Sequence, residues 1–336
     1  MAKKTTATIM SIIFSLVVIL FASNVHAQKA VILEYDIPTP NSKPMYIDVD
    51  DNGMVWFTEL DGVKIGRFNP REETFTEYPV TFQPRCIVYN VLNNLVYFTE
   101  DASGNGHYGA LFPKTGSVLE FPTGLPSGSS VDCTLDPDGN FWFNGWDSQS
   151  LSKANKAGLE NYVLPSFGYT AGLTEDPEGN IWMTIVSAYE YNPRLIKFDP
   201  SLGEPGTSKG FSEIPLLVSQ ATIRAPIAAL GKIWFPIIDQ SKIASYDPAT
   251  GTFQEYPAPT PDAGIQRIAI DRWNRIWFTE ELANQIGMLD LRTGLITEYP
   301  LPTPGSSPHG IVVDKNRDIV WFVESAGNKI GRLTLR

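Results

Sequence analysis

Val55-Trp56-Phe57-Thr58-Glu59 begins one copy of a sequence motif that recurs along the chain. Lys64-Ile65-Gly66-Arg67 and then Glu77-Tyr78-Pro79 complete this copy. A second clear copy reads Ile276-Trp277-Phe278-Thr279-Glu280, with Gln285-Ile286-Gly287 and Glu298-Tyr299-Pro300 behind it. A short apolar stretch and an Asp-x-x-Gly turn come before the aromatic residues in the best copies. Working outward from these two gives seven copies, whose aromatic anchors are Trp56, Tyr97, Trp142, Trp182, Trp234, Trp277 and Trp321.

The spacing of the anchors indicates the fold. A period of about 40 to 50 residues is the size of one propeller blade. Each copy holds four short β-rich runs separated by turn residues, and no helical periodicity intervenes. The sequence therefore predicts an all-β chain that forms a seven-bladed β-propeller of four-stranded antiparallel blades.

The two ends of the chain predict how the ring closes. The seventh copy stops at Leu333-Thr334-Leu335-Arg336, where its outer strand should follow. A matching run, Val31-Ile32-Leu33-Glu34-Tyr35-Asp36-Ile37-Pro38, lies near the other end. An open ring would expose unpaired sheet edges. We therefore expect the N-terminal strand to complete blade seven.

Residues 1–27 are typical of a signal peptide. Lys3 and Lys4 precede an apolar run, and Val25-His26-Ala27 has the small residues of a cleavage site. The run is about 14 residues long, which is short for a membrane span of about 20. We predict an exported protein whose single propeller domain occupies residues 28–336. The alternative is an uncleaved N-terminal anchor.

The charge balance bears on the partners. Cleavage would remove two lysines and no acids, which takes the formal charge from −11 to −13. An acidic chain repels phosphate backbones, so a nucleic-acid partner is not expected. After cleavage we expect neither membrane association nor a second subunit, and a ligand that binds at the central mouth of the ring.

Two cysteines, Cys86 and Cys133, fall on the innermost strands of neighbouring blades. Export permits a disulfide between them. Their positions in the repeat are not equivalent, however, and each is also a plausible small buried apolar residue. The sequence leaves both possibilities open.

One face of the ring should collect the start of every first strand and the end of every second strand, because these strands are antiparallel. The residues five before each hairpin Asp, or before the residue at its equivalent position, form one ring at this mouth: Met45, Arg85, Val131, Ala171, Ile223, Gln266 and His309. The residues three after each anchor form another: Glu59, Glu100, Gly145, Ile185, Ile237, Glu280 and Glu324.

The second of these rings predicts a lopsided mouth. Its four glutamates belong to blades six, seven, one and two, which are contiguous in a closed ring. Aromatic residues of the same-face loops lie across from them: Trp146, Phe167, Tyr169, Tyr189 and Tyr191. A concave apolar wall with a few convergent polar groups is typical of a ligand site. Clustered carboxylates need a metal, a basic ligand or an arginine such as Arg85 to compensate them. A glutamate that recurs with the repeat can instead be structural.

His309, in Ser307-Pro308-His309-Gly310-Ile311, opens the first strand of blade seven. We expect its side chain to face the mouth near Glu324. A histidine there can act as a general base near neutral pH. The alternative is a hydrogen-bonded structural histidine.

The repeated phrases, including Asn328-Lys329-Ile330-Gly331-Arg332 after Trp321-Phe322-Val323-Glu324, resemble those of the virginiamycin B lyase (streptogramin B lyase) family. The resemblance covers the whole mature chain. It implies a seven-bladed propeller that opens an ester in a cyclic depsipeptide by magnesium-assisted elimination. A histidine in a Glu-Pro-His-Gly-Ile motif handles the proton in that family, and acidic residues hold the metal.

His309 matches the family's catalytic histidine, and Glu324 falls close to its second metal-binding glutamate. The resemblance thus implies catalytic roles for His309 and Glu324, and a Mg²⁺ ion held by Glu324. Carboxylate oxygens suit Mg²⁺, or Ca²⁺ as the alternative, and we expect Glu59 or Glu280 to replace the ligand that the chain lacks. Other positions depart from the family. Ser307 replaces a metal-binding glutamate, Gln266 a second active-site histidine, and Met45 a tyrosine.

Three functions follow as hypotheses. The first is an exported, metal-dependent carbon–oxygen lyase that opens a lactone or ester in a cyclic peptide-like ligand. The second is a propeller that binds a ligand, such as a cationic or peptide one, without turning it over, and the third is a lactone hydrolase of the gluconolactonase type. For all three, we predict ligand contacts from Met45, Arg85, Trp146, Tyr169, Tyr189 and Gln266.

Overall fold

The computed structural model describes residues 29–101, 106–125, 130, 132–146, 149–186, 193–216, 218 and 221–336. These residues form seven sheets of four antiparallel strands, which confirms the predicted propeller. The predicted signal peptide lies outside the described residues. Within the ranges given, no helix is long and apolar enough to cross a bilayer.

Ring closure also follows the prediction. Strand β1 (Ala30–Asp36) pairs with the last strand of the chain, β28 (Lys329–Leu335), so that Ala30 faces Leu335 and Asp36 faces Lys329. The sheet order of blade seven is β1-β28-β27-β26. The N-terminal strand therefore supplies the missing outer edge of the last blade.

The remaining strands follow one another from the centre outward in each blade. Blade one contains β2 (Pro44–Val49), β3 (Val55–Glu59), β4 (Lys64–Asn69) and β5 (Thr74–Pro79). Blade two contains β6 (Pro84–Asn90), β7 (Leu95–Glu100), β8 (His107–Phe112) and β9 (Ser117–Pro122). Blade three contains β10 (Cys133–Leu135), β11 (Phe141–Gly145), β12 (Ser150–Asn155) and β13 (Gly158–Val163).

Blade four contains β14 (Tyr169–Glu175), β15 (Ile181–Val186), β16 (Arg194–Phe198) and β17 (Phe211–Pro215). Blade five contains β18 (Ile227–Ala229), β19 (Lys232–Ile237), β20 (Lys242–Asp247) and β21 (Thr252–Pro257). Blade six contains β22 (Ile265–Ile270), β23 (Arg275–Glu280), β24 (Gln285–Asp290) and β25 (Leu295–Pro300). Blade seven begins with β26 (Pro308–Asp314) and β27 (Ile319–Glu324).

A hydrogen bond explains why the turn aspartate and the anchor tryptophan recur together. The indole N–H of Trp56 donates to the carboxylate of Asp50 over 3.2 Å, and Trp277 donates to Asp271 over 2.8 Å. Equivalent bonds join Trp142 to Asp136 and Trp182 to Asp176. The buried indole thus has an acceptor, and the turn is fixed against the second strand.

The core consists of layers between neighbouring blades. Trp56 is fully buried and packs with Phe98 of blade two. On the other side of the same blade, Phe57 packs with Trp321 of blade seven. A Cβ atom at Gly66 would lie 2.1 Å from the Phe57 ring, so the glycine of Lys-Ile-Gly-Arg leaves the space that this ring fills.

The two cysteines form a disulfide. Cys86 of β6 and Cys133 of β10 are bonded, with their Cα atoms 5.9 Å apart. The bond links the innermost strands of blades two and three. Of the two possibilities that the sequence left open, the disulfide is therefore the one that the structure shows.

Candidate functional site

The first strand of most blades begins with an irregularity that shapes the centre of the ring. In β26 the pairing jumps from Pro308 to Ile311, and in β22 it jumps from Ile265 to Ile268. Similar breaks occur in β2, β6 and β14. A bulge leaves an extra residue unpaired and bends the strand. Two consecutive side chains, such as Gln266 and Arg267, therefore both line the central channel.

The channel is narrow and basic. Its free volume is about 10 Å³, which is about the space of one water molecule. The structure brings four of the predicted mouth residues together here, namely Arg85, Ala171, Gln266 and His309. The full lining consists of Tyr46, Arg85, Ala171, Arg224, Ala225, Gln266, Arg267 and His309.

The threonine of Trp-Phe-Thr-Glu holds these bulges in place. Thr279 accepts a hydrogen bond from the backbone N–H of Arg267 over 3.2 Å and donates its hydroxyl to the backbone carbonyl of His309 over 2.8 Å. In blade one, Thr58 accepts from the N–H of Tyr46 and donates to the carbonyl of Arg85. One repeated hydroxyl thus fixes the channel residues of two adjacent blades.

His309 is held as a neutral base. Its Nδ1 lies 3.0 Å from the carbonyl oxygen of Met45, and a carbonyl only accepts, so Nδ1 carries the proton. The lone pair is then on Nε2. Burial is the largest of the effects that lower the pKa of His309 to about 3, and the positive charges of Arg267, Arg85 and Arg224 contribute to the same shift. His309 therefore stays uncharged throughout the physiological range.

Two of the channel arginines have aspartate partners. Arg85 pairs with Asp101 over 2.7 Å, and Arg267 pairs with the buried Asp132 over 3.1 Å. The guanidinium carbon of Arg267 also stacks on the Tyr46 ring at 3.8 Å from its centroid. These contacts give the guanidinium groups fixed positions.

The glutamates that we predicted to form an acidic arc are not part of this lining. Glu59, Glu280 and Glu324 are all fully buried within their own blades. No hydrogen bond of standard geometry reaches their carboxyl oxygens among the described residues, although the hydroxyls of Ser42 and Ser306 act on Glu59 and Glu324 respectively and lower their pKa. The fourth, Glu100, pairs with His107 over 2.6 Å. The mouth beside His309 is therefore basic rather than acidic.

Each of the three buried glutamates lies near a second glutamate from the outer strand of its blade. Burial, and to a smaller extent the charge of Glu298, raises the pKa of Glu280 to about 8. Burial likewise raises the pKa of Glu59 and of Glu324 to about 7, with Glu77 and Glu34 as the respective neighbours. Each position therefore favours a neutral carboxylic acid.

The outer glutamates have a structural role. Glu298 accepts hydrogen bonds from the N–H and the hydroxyl of Thr260, over 2.9 and 2.8 Å. Thr39 and Thr303 clasp Glu77 and Glu34 in the same way. The glutamate of Glu-Tyr-Pro thus ties the outer strand of a blade to the segment that enters the blade.

The described residues do not fit a shared magnesium site. They contain no group of three His, Cys, Asp or Glu side chains placed to hold one ion. Glu59, Glu280 and Glu324 each face a separate glutamate, and the channel beside His309 presents guanidinium groups. Because cations are not stabilised by cations, we derive no step through a metal.

The predicted aromatic wall is partly assembled. Trp146 and Tyr169 stack with their ring centroids 5.0 Å apart, and Phe167 meets Tyr169 edge to face at 6.1 Å. With Gln149 and Gly168, these residues line a pocket of about 210 Å³. The strand directions place this pocket on the same face as the start of β26. Tyr189 and Tyr191 lie outside the described residues.

The remaining prediction, Met45, contributes its backbone rather than its side chain, since its carbonyl oxygen orients His309. Sequence reasoning missed Tyr46, Arg224, Arg267 and Asp132. Regular alternation allows only one inward side chain at each strand start, whereas the bulges admit two. Arg224 and Arg267, as arginines within otherwise apolar stretches, were the signal that would have revealed the basic channel.

The comparisons with known proteins agree with this architecture. The model of the virginiamycin B lyase family matches residues 26–191 and 221–336. No curated protein sequence matches the chain significantly.

Solved structures of such lyases superimpose closely. A streptogramin B lyase is 28% identical with a TM-score of 0.80, covering 91% of this chain and 98% of its own. Virginiamycin B lyase from Staphylococcus aureus is 25% identical with a TM-score of 0.81, covering 92% of this chain and 100% of its own. A catalytically inactive histidine-to-alanine variant of that enzyme, solved with quinupristin, matches equally well, with 25% identity, a TM-score of 0.81 and the same coverage of both chains. Because the family model spans most of the propeller, this chain belongs to the virginiamycin B lyase family.

Proposed function

We propose that the protein opens an ester in a cyclic peptide-like ligand by elimination, with His309 as the base. The observation that carries this proposal is the tautomer of His309. Its Nδ1–H donates a hydrogen bond to the Met45 carbonyl, so the other ring nitrogen, Nε2, carries the lone pair that can accept a proton. The channel lining includes this imidazole. The resemblance of the Pro308-His309-Gly310-Ile311 run to the family motif supports the assignment.

The reaction needs a base and no water. Nε2 of His309 takes the proton from the carbon next to a carbonyl, and the C–H electron pair becomes a carbon–carbon double bond. The adjacent C–O bond breaks, and its electrons leave with the ester oxygen as a carboxylate. The product has the same mass as the ligand.

The aromatic pocket offers a place for the apolar part of such a ligand. Phe167 is half exposed, with Trp146 and Tyr169 stacked behind it. Rings of this kind bind apolar and aromatic groups with little loss of side-chain freedom. The relative solved with quinupristin supports a cyclic depsipeptide as the first ligand to test.

Export belongs to the same proposal. The disulfide between Cys86 and Cys133 supports an oxidising compartment, because such bonds persist outside the cytosol. Processing near residue 28 and recovery of the protein outside the cytoplasm would test this part.

A second candidate is binding without turnover. The low pKa of His309 favours it, because a general base works best when its pKa lies near the working pH. On this view the channel and the aromatic pocket hold the ligand, and no bond is broken.

Incubation with quinupristin in isotopically labelled water separates the candidates. Elimination gives a product of unchanged mass with a new double bond and no label, whereas hydrolysis adds one labelled water. His309→Ala should lower kcat/KM by about a hundredfold or more, while the matched control His107→Ala should not. Saturable binding without product would favour the second candidate. A fully active His309→Ala variant would contradict the first.

Metal dependence remains a prediction from the resemblance, and a separate experiment tests it. If Mg²⁺ or Ca²⁺ is required, a chelator should abolish turnover and the added cation should restore it. Glu324→Gln should then weaken the response to the cation more than Glu280→Gln or Glu59→Gln does.

A further inference from the structure

Three guanidinium groups line the channel, and two of them have a carboxylate partner among the described residues. Arg85 and Arg267 are paired with Asp101 and Asp132. Arg224 has no ion pair within 4.0 Å among the described residues. Its closest polar contact is a long one, 3.5 Å from its Nη1 to the Gln266 side-chain oxygen. The charge of Glu281 raises the pKa of Arg224 without a direct ion pair between the two side chains.

Two N–H donors in this cluster have no acceptor among the residues that the structure describes. The Nε atoms of Arg85 and Arg224 are both buried, and neither has a hydrogen-bond partner in the described part of the chain. A buried donor without an acceptor costs about 1 to 3 kcal/mol, and more when the group is charged. The two atoms therefore mark a place where an outside acceptor would be stabilised.

The surroundings leave room for such an acceptor. Ala171 and Ala225 line the channel beside the arginines and have the smallest side chains of the lining. Arg267 is fixed by Asp132 and by the Tyr46 ring, so the site is organised before any ligand arrives. Burial and the charges of Arg85 and Arg267 lower the pKa of Arg224, and the opposing effects of Tyr46 and Glu281 do not cancel this shift.

We propose that this channel is an anion site that binds the carboxylate group of a ligand through Arg224, with Arg85 and Arg267 beside it. The site goes beyond the proposed reaction, because a propeller that binds without turnover would need it equally. It also names a ligand class, namely molecules that carry a free carboxylate.

The size of the channel favours a carboxylate over a phosphate. A space of about 10 Å³ admits roughly one oxygen atom, and a flat carboxylate can present one oxygen to it from the mouth. A tetrahedral phosphate is bulkier on every side. The oxygen that enters would accept a charge-assisted hydrogen bond from a guanidinium group.

The test uses acetate, acetamide and inorganic phosphate as probes of the mature protein, at constant ionic strength. Isotope-labelled protein is titrated, and the resonances of the arginine Nε–H groups and of the His309 imidazole are followed. Acetate should shift them saturably, acetamide should not, and phosphate should bind more weakly. Equal shifts with acetate and acetamide would overturn the site, and tighter binding of phosphate would overturn the carboxylate class.

Variants locate the binding. Arg224→Gln should weaken acetate binding about tenfold or more, the loss typical of a charge-assisted hydrogen bond. Arg224→Lys keeps the charge and should lose less. Arg272→Gln is the matched control, since Arg272 pairs with Asp318 in the turns of the opposite face. Unchanged acetate affinity in both Arg224 variants would rule the proposal out, whatever the protein does with quinupristin.

Discussion

The side chain of Thr279 in blade six donates a hydrogen bond to the backbone carbonyl of His309 in blade seven, over 2.8 Å. The same hydroxyl accepts from the N–H of Arg267. A residue that recurs for the sake of the fold thus also sets the relative positions of the candidate base and a channel arginine.

Replacing Thr279 with valine should therefore affect stability and the site together. Valine keeps the shape and leaves two buried backbone groups unpaired, so we expect a loss of about 1 to 3 kcal/mol. Denaturant unfolding measures this loss, and the His309 imidazole resonances should also shift. Thr99→Val is the matched control, because Thr99 bonds the N–H of Cys86 and does not contact blade seven. Unmoved His309 resonances in Thr279→Val would contradict the positioning role.

Glu280→Gln should stabilise the protein at alkaline pH. The folded pKa of Glu280 is raised to about 8, whereas the unfolded value is near 4.5. The folded state therefore holds a proton that the unfolded state releases, and stability falls as the pH rises from about 4.5 to 8. The amide mimics the neutral acid, so we expect a gain on the order of 2 kcal/mol at pH 8 and little change at pH 4.

Thermal unfolding across this pH range checks the prediction. Glu204→Gln serves as the control, since Glu204 is exposed and makes only a surface pair with Lys209. The chain itself carries Ile237 at the equivalent position of blade five. A Glu280→Gln variant that is less stable than the parent at pH 8 would show that this carboxyl is ionised in the fold.

His309 should contribute the opposite pH dependence. Its folded pKa is lowered to about 3, so the unfolded state takes up a proton first as the pH falls below about 6.5. Stability from this group is complete above pH 6.5 and is lost as the pH falls towards 3. Imidazole resonances recorded between pH 5 and 8 should show a neutral His309 throughout. A midpoint inside that window would disprove the low pKa.

The disulfide should stabilise the ring measurably. It closes a loop of 47 residues, for which chain entropy gives up to about 4 kcal/mol. The double variant Cys86→Ser with Cys133→Ser should unfold at lower denaturant than the parent, and a reducing agent should weaken the parent and not the variant. Equal midpoints for all three samples would show that the bond adds nothing to stability.

The architecture could be predicted because each repeated residue has a local reason. Trp56 needs the acceptor that Asp50 supplies, and Phe57 needs the space above Gly66. Seven such units leave little choice of fold. Closure by β1 followed from the same reasoning, since the last copy lacked only its outer strand.

The site was predicted less completely. His309, Arg85 and Gln266 reach the channel as expected, whereas Glu324 is buried beside Glu34. Two features were not readable from the phrases. The bulges turn a second residue inward, and the partner of each inner glutamate comes from a strand about twenty residues away or, in blade seven, from the other end of the chain.

Strand β1 has a consequence for synthesis of the protein. Asp36 is synthesised early, and its partner in the sheet, Lys329, follows 293 residues later. Blade seven cannot gain its outer strand before then. The ring therefore cannot close until β28 has been synthesised. A chain truncated before residue 329 would leave an open ring with two unpaired sheet edges. Quality-control proteases and chaperones act on exposed edges of this kind.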